Sequence, residues 1–291
     1  MTDNKQRRHD SMKELDRALA RRDRAEKTKP LGVVVATLAI LVVIVGGIWL
    51  LTKQGDEADT TATETKNNEP KAVELMAMPV DGELIPMKRE QALPETVTCT
   101  YDDDGEAAKP VDKPKTENVP AKGKVTVTLK TNQGDIPMEL DRALSPCAVN
   151  AIEHLAKSNF YDDSICHRAT GGMLNVLQCG DPTGTGSGGP GFKYAGEWPI
   201  KDANLDMQTP MIYQKGSIAM ANPGDPDANG SQFFLNWADS NLPPQYVVLG
   251  SMSSEGTNVA EKIAGNGIEG TEGMTDGKPF KEVRIEKAEA K

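Results

Sequence analysis

Three hydrophobic patterns divide this chain. The first is a charge-free run, LGVVVATLAILVVIVGGIWLLT over Leu31 to Thr52, with Val, Ile and Leu on every side of a would-be helix. At about 1.5 Å rise per residue such a helix covers the ~30 Å hydrocarbon thickness of a bilayer. A buried core helix would be the alternative, but the run lacks any polar face. A cleavable signal peptide would have a shorter apolar region, fewer residues ahead of it and a small-x-small site behind it. The run therefore predicts an uncleaved membrane anchor.

The second pattern has period two. Lys124-Val125-Thr126-Val127-Thr128-Leu129 places its apolar residues on one face, Asn132-Gln133-Gly134-Asp135 turns the chain, and Ile136, Met138 and Leu140 continue on a second strand. Gly216–Met220, Ser231–Leu235, Val247–Gly250 and Glu282–Ile285 predict further strands. The third pattern is helical. Val149, Ile152, Leu155 and Ala156 form a stripe behind Ser145-Pro146, a predicted N-cap with proline in the first turn. A second short helix fits Val259–Ala264, stopped by Gly265. Many short strands with two helices predict a mainly β body folded as a closed antiparallel barrel.

Charge sharpens the organisation. The chain of 291 residues has 33 Lys plus Arg against 43 Asp plus Glu, yet residues 1–30 carry ten basic residues and six acidic ones. The chain beyond Pro30 is left with about −14, which argues against nucleic acid as a partner. Seven basic residues between Lys13 and Lys29 crowd the near side of the apolar run, with only Lys53 and Lys66 just beyond it. The positive-inside rule then places the basic tail, 1–30, in the cytoplasm and the body outside, with Trp49 at the outer interface. Residues 53–70 are polar and too poor in apolar residues for a core, so they read as a tether. Within 71–122, Val73–Met78 and Val97–Tyr101 suggest short strands. Asp102-Asp103-Asp104-Gly105 and the proline-dotted run from Lys109 to Pro120 suggest open loop. This segment reads as an extension strapped to the body that occupies 123–291.

The chemistry-bearing segment is GSIAMANPGDPDANGSQFFLN, Gly216 to Asn236, in which Asn222-Pro223-Gly224-Asp225-Pro226 and Asn229-Gly230 form turns and Gln232-Phe233-Phe234 sets an amide beside aromatic rings. Together with His167-Arg168 and Gln178-Cys179-Gly180-Asp181 upstream, in this order, it resembles the cyclophilin family of peptidyl-prolyl isomerases over roughly Gly123 to Glu286. The resemblance implies an eight-stranded barrel capped by helices and an enzyme that rotates X-Pro bonds. That rotation faces a barrier of about 18–20 kcal/mol set by amide resonance. No covalent bond breaks, so neither metal nor cofactor is implied. A fixed cation near the prolyl nitrogen would draw its lone pair out of conjugation and act mainly in the transition state.

By resemblance Arg168 is that cation, and Gln178 and Gln232 bond the substrate backbone. Ala221 and Asn222 supply backbone groups, and Phe234 and Leu242 wall the proline slot. Val176 stands where the family has methionine, and Gly186 lies close to substrate in a glycine-rich loop. Tyr246 stands for a family histidine among the substrate-binding positions. Isomerisation moves no proton, so His167 reads as a core histidine and not a general base; Phe233, one residue from Phe234 on a strand, points into the core. The loop Gly184-x-Gly186-x-Gly188-Gly189 lacks the Lys-Ser/Thr and following helix of a phosphate-binding loop.

The chain also departs from the pattern. Nine residues, Ala169 to Leu177, separate Arg168 from Gln178 where the familiar spacing is seven; Asn175 replaces a pocket phenylalanine, a gap that Met173 or Leu174 would have to refill. Asn241 replaces a tryptophan, which argues against cyclosporin binding. Four cysteines, Cys99, Cys147, Cys166 and Cys179, lie beyond the anchor, and no CxxC spacing supports zinc over disulfides. In the implied barrel Cys166 and Cys179 are cross-strand neighbours, which leaves Cys99 for Cys147. Two function classes emerge: an isomerase assisting exported or envelope proteins, or a catalytically weak chaperone or binding module for proline-containing segments. The retained Arg168, Gln178, Gln232 and Phe234 favour the enzyme, and Asn175 favours the module.

Overall fold

The computed structural model describes residues 71–291; the basic tail, apolar run and tether expected over 1–30, 31–52 and 53–70 lie outside the described residues. Among the described residues no helix is long and apolar enough to cross a membrane.

The body grows from one hairpin. Strands β1 (Lys124–Thr131) and β2 (Gly134–Asp141) pair along their full length, Lys124 opposite Asp141 and Thr131 opposite Gly134. The predicted alternation is realised, with Val125, Val127, Leu129, Ile136, Met138 and Leu140 buried. Helix α1 (Pro146–Lys157) comes next, then β3 (Ser164–Ile165), β4 (Arg168–Thr170), β5 (Val176–Cys179), β6 (Ser217–Met220), β7 (Phe233–Asn236) and β8 (Val248–Met252). Helix α2 (Ser254–Gly265), β9 (Asp276–Gly277) and β10 (Arg284–Ala290) complete it. The ten strands form one antiparallel sheet in the order β9-β4-β5-β7-β6-β8-β2-β1-β10-β3.

This corrects the expected closed eight-stranded barrel: the sheet has ten strands and is curled, with a seam between its ends. Cys166 and His167 join β3 to β4, but β3 pairs only with β10 at one end of the order and β4 with β5 and β9 at the other, so the two strands do not pair with each other and the sheet is not closed through them. The N–H of Cys166 goes instead to the Val283 carbonyl at 2.9 Å, beside β10, and its sulfur to Cys179.

One face of the sheet packs the main core with α1 and α2, through Leu129, Ile136, Leu177, Leu235, Ile152, Leu155 and Ile263. A second apolar cluster lies apart from it, built from Val176, Phe234, Ala219, Val248, Met211, Tyr213, Trp198, Ile85 and Leu144.

Helix α1 is not capped by Ser145, whose hydroxyl donates to the Val248 carbonyl at 2.9 Å. The carboxylate of Glu197 takes the capping role, accepting from the N–H groups of Cys147 (3.1 Å) and Ala148 (2.8 Å). The cap comes from 49 residues away, so no local pattern shows it. Helix α2 starts earlier than its apolar stripe, at Ser254, because Ser253 accepts from the Gly256 N–H at 3.1 Å.

Residues 71–122 lie against the body in short contacts. Lys71–Val73 pairs with Ile268–Gly270, and Thr96–Val97 with Val119–Pro120. The strand expected over Val97–Tyr101 is thus interrupted. Asp102–Asp103, expected as open loop, pairs with Phe192–Lys193. Tyr101 causes this: its ring meets Phe192 and Tyr194 edge-on with centroids 5.5 and 5.7 Å away, and its hydroxyl donates to the Cys147 carbonyl at 2.8 Å. Cys99 is bonded to Cys147, a closure over 48 residues that removes roughly 4 kcal/mol of unfolded-chain entropy.

Burial pushes the Glu197 carboxyl up to about 7, against the pull of the Ala148 and Cys147 N–H groups. The folded state therefore holds this proton more tightly than the unfolded chain does. The associated stability is complete below about pH 4.5 and is lost as pH rises through about 7. Denaturant titrations across that window should show a decline of about 3 kcal/mol that Glu197→Gln removes; an unchanged slope in the variant would refute the assignment.

Candidate active site

The register of β4, β5, β7 and β6 builds the site. Arg168 stands opposite Gln178, Gln178 opposite Phe234, and Phe234 opposite Ala219. Residues directly opposed across antiparallel strands share a face. The row displaced by one, Ala169, Leu177, Leu235 and Ile218, occupies the other face and is buried in the main core. Phe233 lies in that core, and Phe234 in the second cluster.

A polar chain runs along the site. Arg168 Nη1 donates to Gln178 Oε1 at 3.1 Å, Gln178 Nε2 to Gln232 Oε1 at 3.0 Å, and Gln232 Nε2 to the carbonyls of Gly186 and Gly188, both at 3.0 Å. Its far end is Asp276, which accepts from Arg168 Nε at 2.8 Å and Nη2 at 2.7 Å. These bonds, with the carboxylate's charge, raise the arginine's pKa further and keep it a cation.

Beside the chain is an apolar wall. Phe234 meets Tyr246 edge-on at 5.4 Å and Tyr213 at 6.2 Å, and Val176, Leu242 and Leu174 pack in the same cluster. Leu174 thus joins this wall, whereas Met173 is exposed. Asn175 alternates away from Val176. It is fully buried, with Nδ2 donating to the Asp239 carbonyl at 2.6 Å and its N–H bonded to Ser240 Oγ. The position that the resemblance marks as lacking an aromatic is therefore a filled site facing the 237–241 segment.

The glycine-rich loop is shaped from within. Asp181 accepts from the N–H groups of Thr183 (2.7 Å), Thr185 (3.1 Å) and Gly186 (2.7 Å). Burial opposes its charge, but these and the Gly188 N–H keep its pKa below the usual carboxylate range. The donors a phosphate would need are spent on this side chain. Gly186 has φ +84°, and a Cβ there would sit 3.3 Å from the His167 ring. His167 is half-buried, and burial lowers its pKa. A cavity of about 450 Å³ is lined by Gln178, Gln232, Gly186, Ala221, Asn222 and, from the extension, Asp104. The Ala221 N–H is taken by the Gln232 carbonyl at 2.9 Å, so of that residue's backbone groups the carbonyl is the one left for a peptide. Asn222 Nδ2 donates to the Gln245 carbonyl at 3.0 Å.

The structure thus brings Arg168, Gln178, Gln232, Gly186, Ala221 and Asn222 to the polar side, and Val176, Phe234, Leu242 and Tyr246 to the apolar side. Cys166 is bonded to Cys179, and Cys99 to Cys147. Asp276 is invisible to sequence reasoning, a lone acidic residue 108 positions from its partner with no local signal. Asp181 belongs to a recognisable motif that suggests no role for it; its place just ahead of a glycine-rich loop is the available clue.

The family model for cyclophilin type peptidyl-prolyl cis-trans isomerase/CLD matches residues 126–290. The chain is 46% identical over 184 residues to a protein named probable peptidyl-prolyl cis-trans isomerase B of Mycobacterium tuberculosis (strain ATCC 25618 / H37Rv), a match taking in 62% of this chain and 59% of that protein. It is 44% identical over 196 residues to the protein of the same name from Mycobacterium leprae (strain TN), covering 65% of each. The chain thus spans about six-tenths of these relatives' length. A crystal structure of a Cryptosporidium parvum cyclophilin type peptidyl-prolyl cis-trans isomerase superposes with a TM-score of 0.46 at 27% identity, covering 58% of this chain and 98% of that one. With more than half of its length matched by the family model, over the segment that carries the whole Arg168–Phe234 row, the chain belongs to the cyclophilin-type peptidyl-prolyl cis-trans isomerase family.

Proposed function

We propose that this protein is a peptidyl-prolyl cis-trans isomerase of a bacterial envelope, held in the membrane by residues 31–52 with its N-terminus in the cytoplasm. Its clients are proline-containing segments of exported proteins. The observation that carries the reading is the Arg168-Gln178-Phe234 row: a fixed cation, an amide and an aromatic wall on one face of three adjacent strands. A proline ring seated against Phe234, Val176, Leu242 and Tyr246 puts its nitrogen on the side where Arg168 stands. Gln178 and Gln232 hold the flanking backbone. As the X-Pro bond twists, the nitrogen pyramidalises and its lone pair becomes a better acceptor, so the arginine binds the twisted state more tightly than either planar isomer. Each ~1.4 kcal/mol of that preference is tenfold in rate.

A second reading rests on Asp276, whose carboxylate offsets the charge of Arg168: a binding or chaperone module for proline-containing segments with weak catalysis.

A protease-coupled prolyl-peptide assay on the detergent-solubilised full chain separates the two. Activity supports the enzyme; peptide binding without activity supports the module. In the enzyme, Arg168→Ala should lower kcat/KM by roughly one to three orders of magnitude with peptide affinity little changed. Phe234→Ala should weaken affinity as well, because the ring contacts proline in both isomers. Asn175→Phe should lower both stability, by about 1–3 kcal/mol, and activity, since its site is filled; a gain in activity would show an unfilled pocket. Protease added outside whole cells should digest the body and spare residues 1–30, and protection of the body would overturn the proposed topology.

A further inference from the structure

Arg168 is held by a strand that cannot hold itself. β9 is two residues long and pairs with β4 only through Asp276 opposite Thr170 and Gly277 opposite Ala169, helped by the Gly171 N–H on the Thr275 carbonyl at 2.8 Å. So short a ladder is marginal alone. Its companion segment, Ile268–Gly270, is tied to it by the Glu269 N–H on the Lys278 carbonyl at 2.8 Å. The outer edge of that segment is covered by Lys71–Val73, with Val73 opposite Ile268 and Lys71 opposite Gly270. The same N-terminal stretch then crosses to the end of β4. The Gly172 N–H donates to the Met76 carbonyl at 2.7 Å, the Met78 N–H donates to the Gly172 carbonyl at 2.8 Å, and Leu75, next to Met76, is buried. A Cβ on Gly171 would come within 3.1 Å of the Met76 carbonyl, so any larger residue there would crowd the strap. Residues 71–78 therefore touch both the arm that carries Asp276 and the loop that leaves Arg168.

We propose that Asp276 is a positioning residue for Arg168, and that residues 71–78 are the strap that keeps its arm against the Arg168 strand. This rests on the proposed role of Arg168 as the catalytic cation. A guanidinium gripped through Nε and Nη2 is fixed in orientation as well as place. Gln178 takes a third donor, on Nη1, which leaves one N–H on each terminal nitrogen. Those two are the donors a twisted prolyl amide meets. Without Asp276 the arginine keeps its charge but samples other rotamers, so fewer bound peptides meet it correctly aimed. The consequence falls on kcat, because the proline slot itself contains neither Asp276 nor the strap.

The test uses the full chain in detergent, with kcat and KM measured separately on a prolyl tetrapeptide. Asp276→Ala should lower kcat about tenfold with KM within twofold, and Asp276→Asn less. In an Arg168→Ala background Asp276→Ala should change nothing further. Met78→Pro, which removes one strap hydrogen bond at an exposed residue already followed by Pro79, should lower kcat severalfold, whereas Met78→Ala should not. A kcat that rises in Asp276→Ala overturns the proposal, because Asp276 would then be a quencher of the arginine. An equal loss in the Arg168→Ala background overturns it too, as the mark of a purely structural role. The strap fails if Met78→Pro is without effect. The Arg168 Nε–H resonance, followed by NMR, reads positioning without activity. It should be protected in the wild type and lose protection in Asp276→Ala and Met78→Pro, and protection unchanged by both variants overturns the proposal even if the wild-type chain proves inactive.

Discussion

The site depends on a register. β4, β5 and β7 are three, four and four residues long, and because strand side chains alternate, a slip of one residue would send Arg168 and Phe234 to the core face. What prevents the slip is the row behind. Ala169, Leu177 and Leu235 are buried in the main core, so a shifted pairing would carry them into the site and a charged guanidinium into their place. The Cys166–Cys179 bond reinforces this by joining the residue two before Arg168 to the residue just after Gln178, closing a loop of about 13 residues worth roughly 3 kcal/mol of chain entropy. The chemistry on one face is thus located by the hydrophobic demand on the other.

That division explains what could be read from the sequence. The β1–β2 hairpin and the stripe of α1 are periodic, so their faces are visible in the order of residues alone. The site residues are legible because they sit in short motifs whose spacing the resemblance supplies. What escapes detection acts over distance: Glu197 capping α1, Asp276 gripping Arg168, and Tyr101 drawing Asp102–Asp103 into pairing with Phe192–Lys193. In each case a side chain meets backbone or charge from a remote segment, and no local periodicity records it. Asn175 misleads for a related reason. Counting places it in the pocket, but strand alternation turns it away from Val176, and the two-residue lengthening brings Leu174 to the wall instead.

Residues 71–122 carry little core of their own and yet contribute Leu75, Ile85, Tyr101 and Val119 to the interior of the body. They reach the surroundings of the site at two places. At one, Met76 and Met78 bond Gly172; at the other, the Asp104 and Ala108 N–H groups bond the carbonyls of Gly191 and Gly189 at 3.0 and 2.9 Å. A segment without a core is stable there because the body lends it one, and in return it fixes two loops the curled sheet leaves unsupported.

Asp181 has a consequence for how quickly and how tightly a peptide can be taken up. A glycine-rich loop left to itself would wander among many shapes, and a ligand would have to freeze it on arrival, at the expense of affinity. Here the carboxylate has already frozen it, with three backbone donors filled before any ligand comes. Binding then resembles the docking of two ready surfaces, with residence time governed by the peptide's own contacts and not by the reopening of a folded loop.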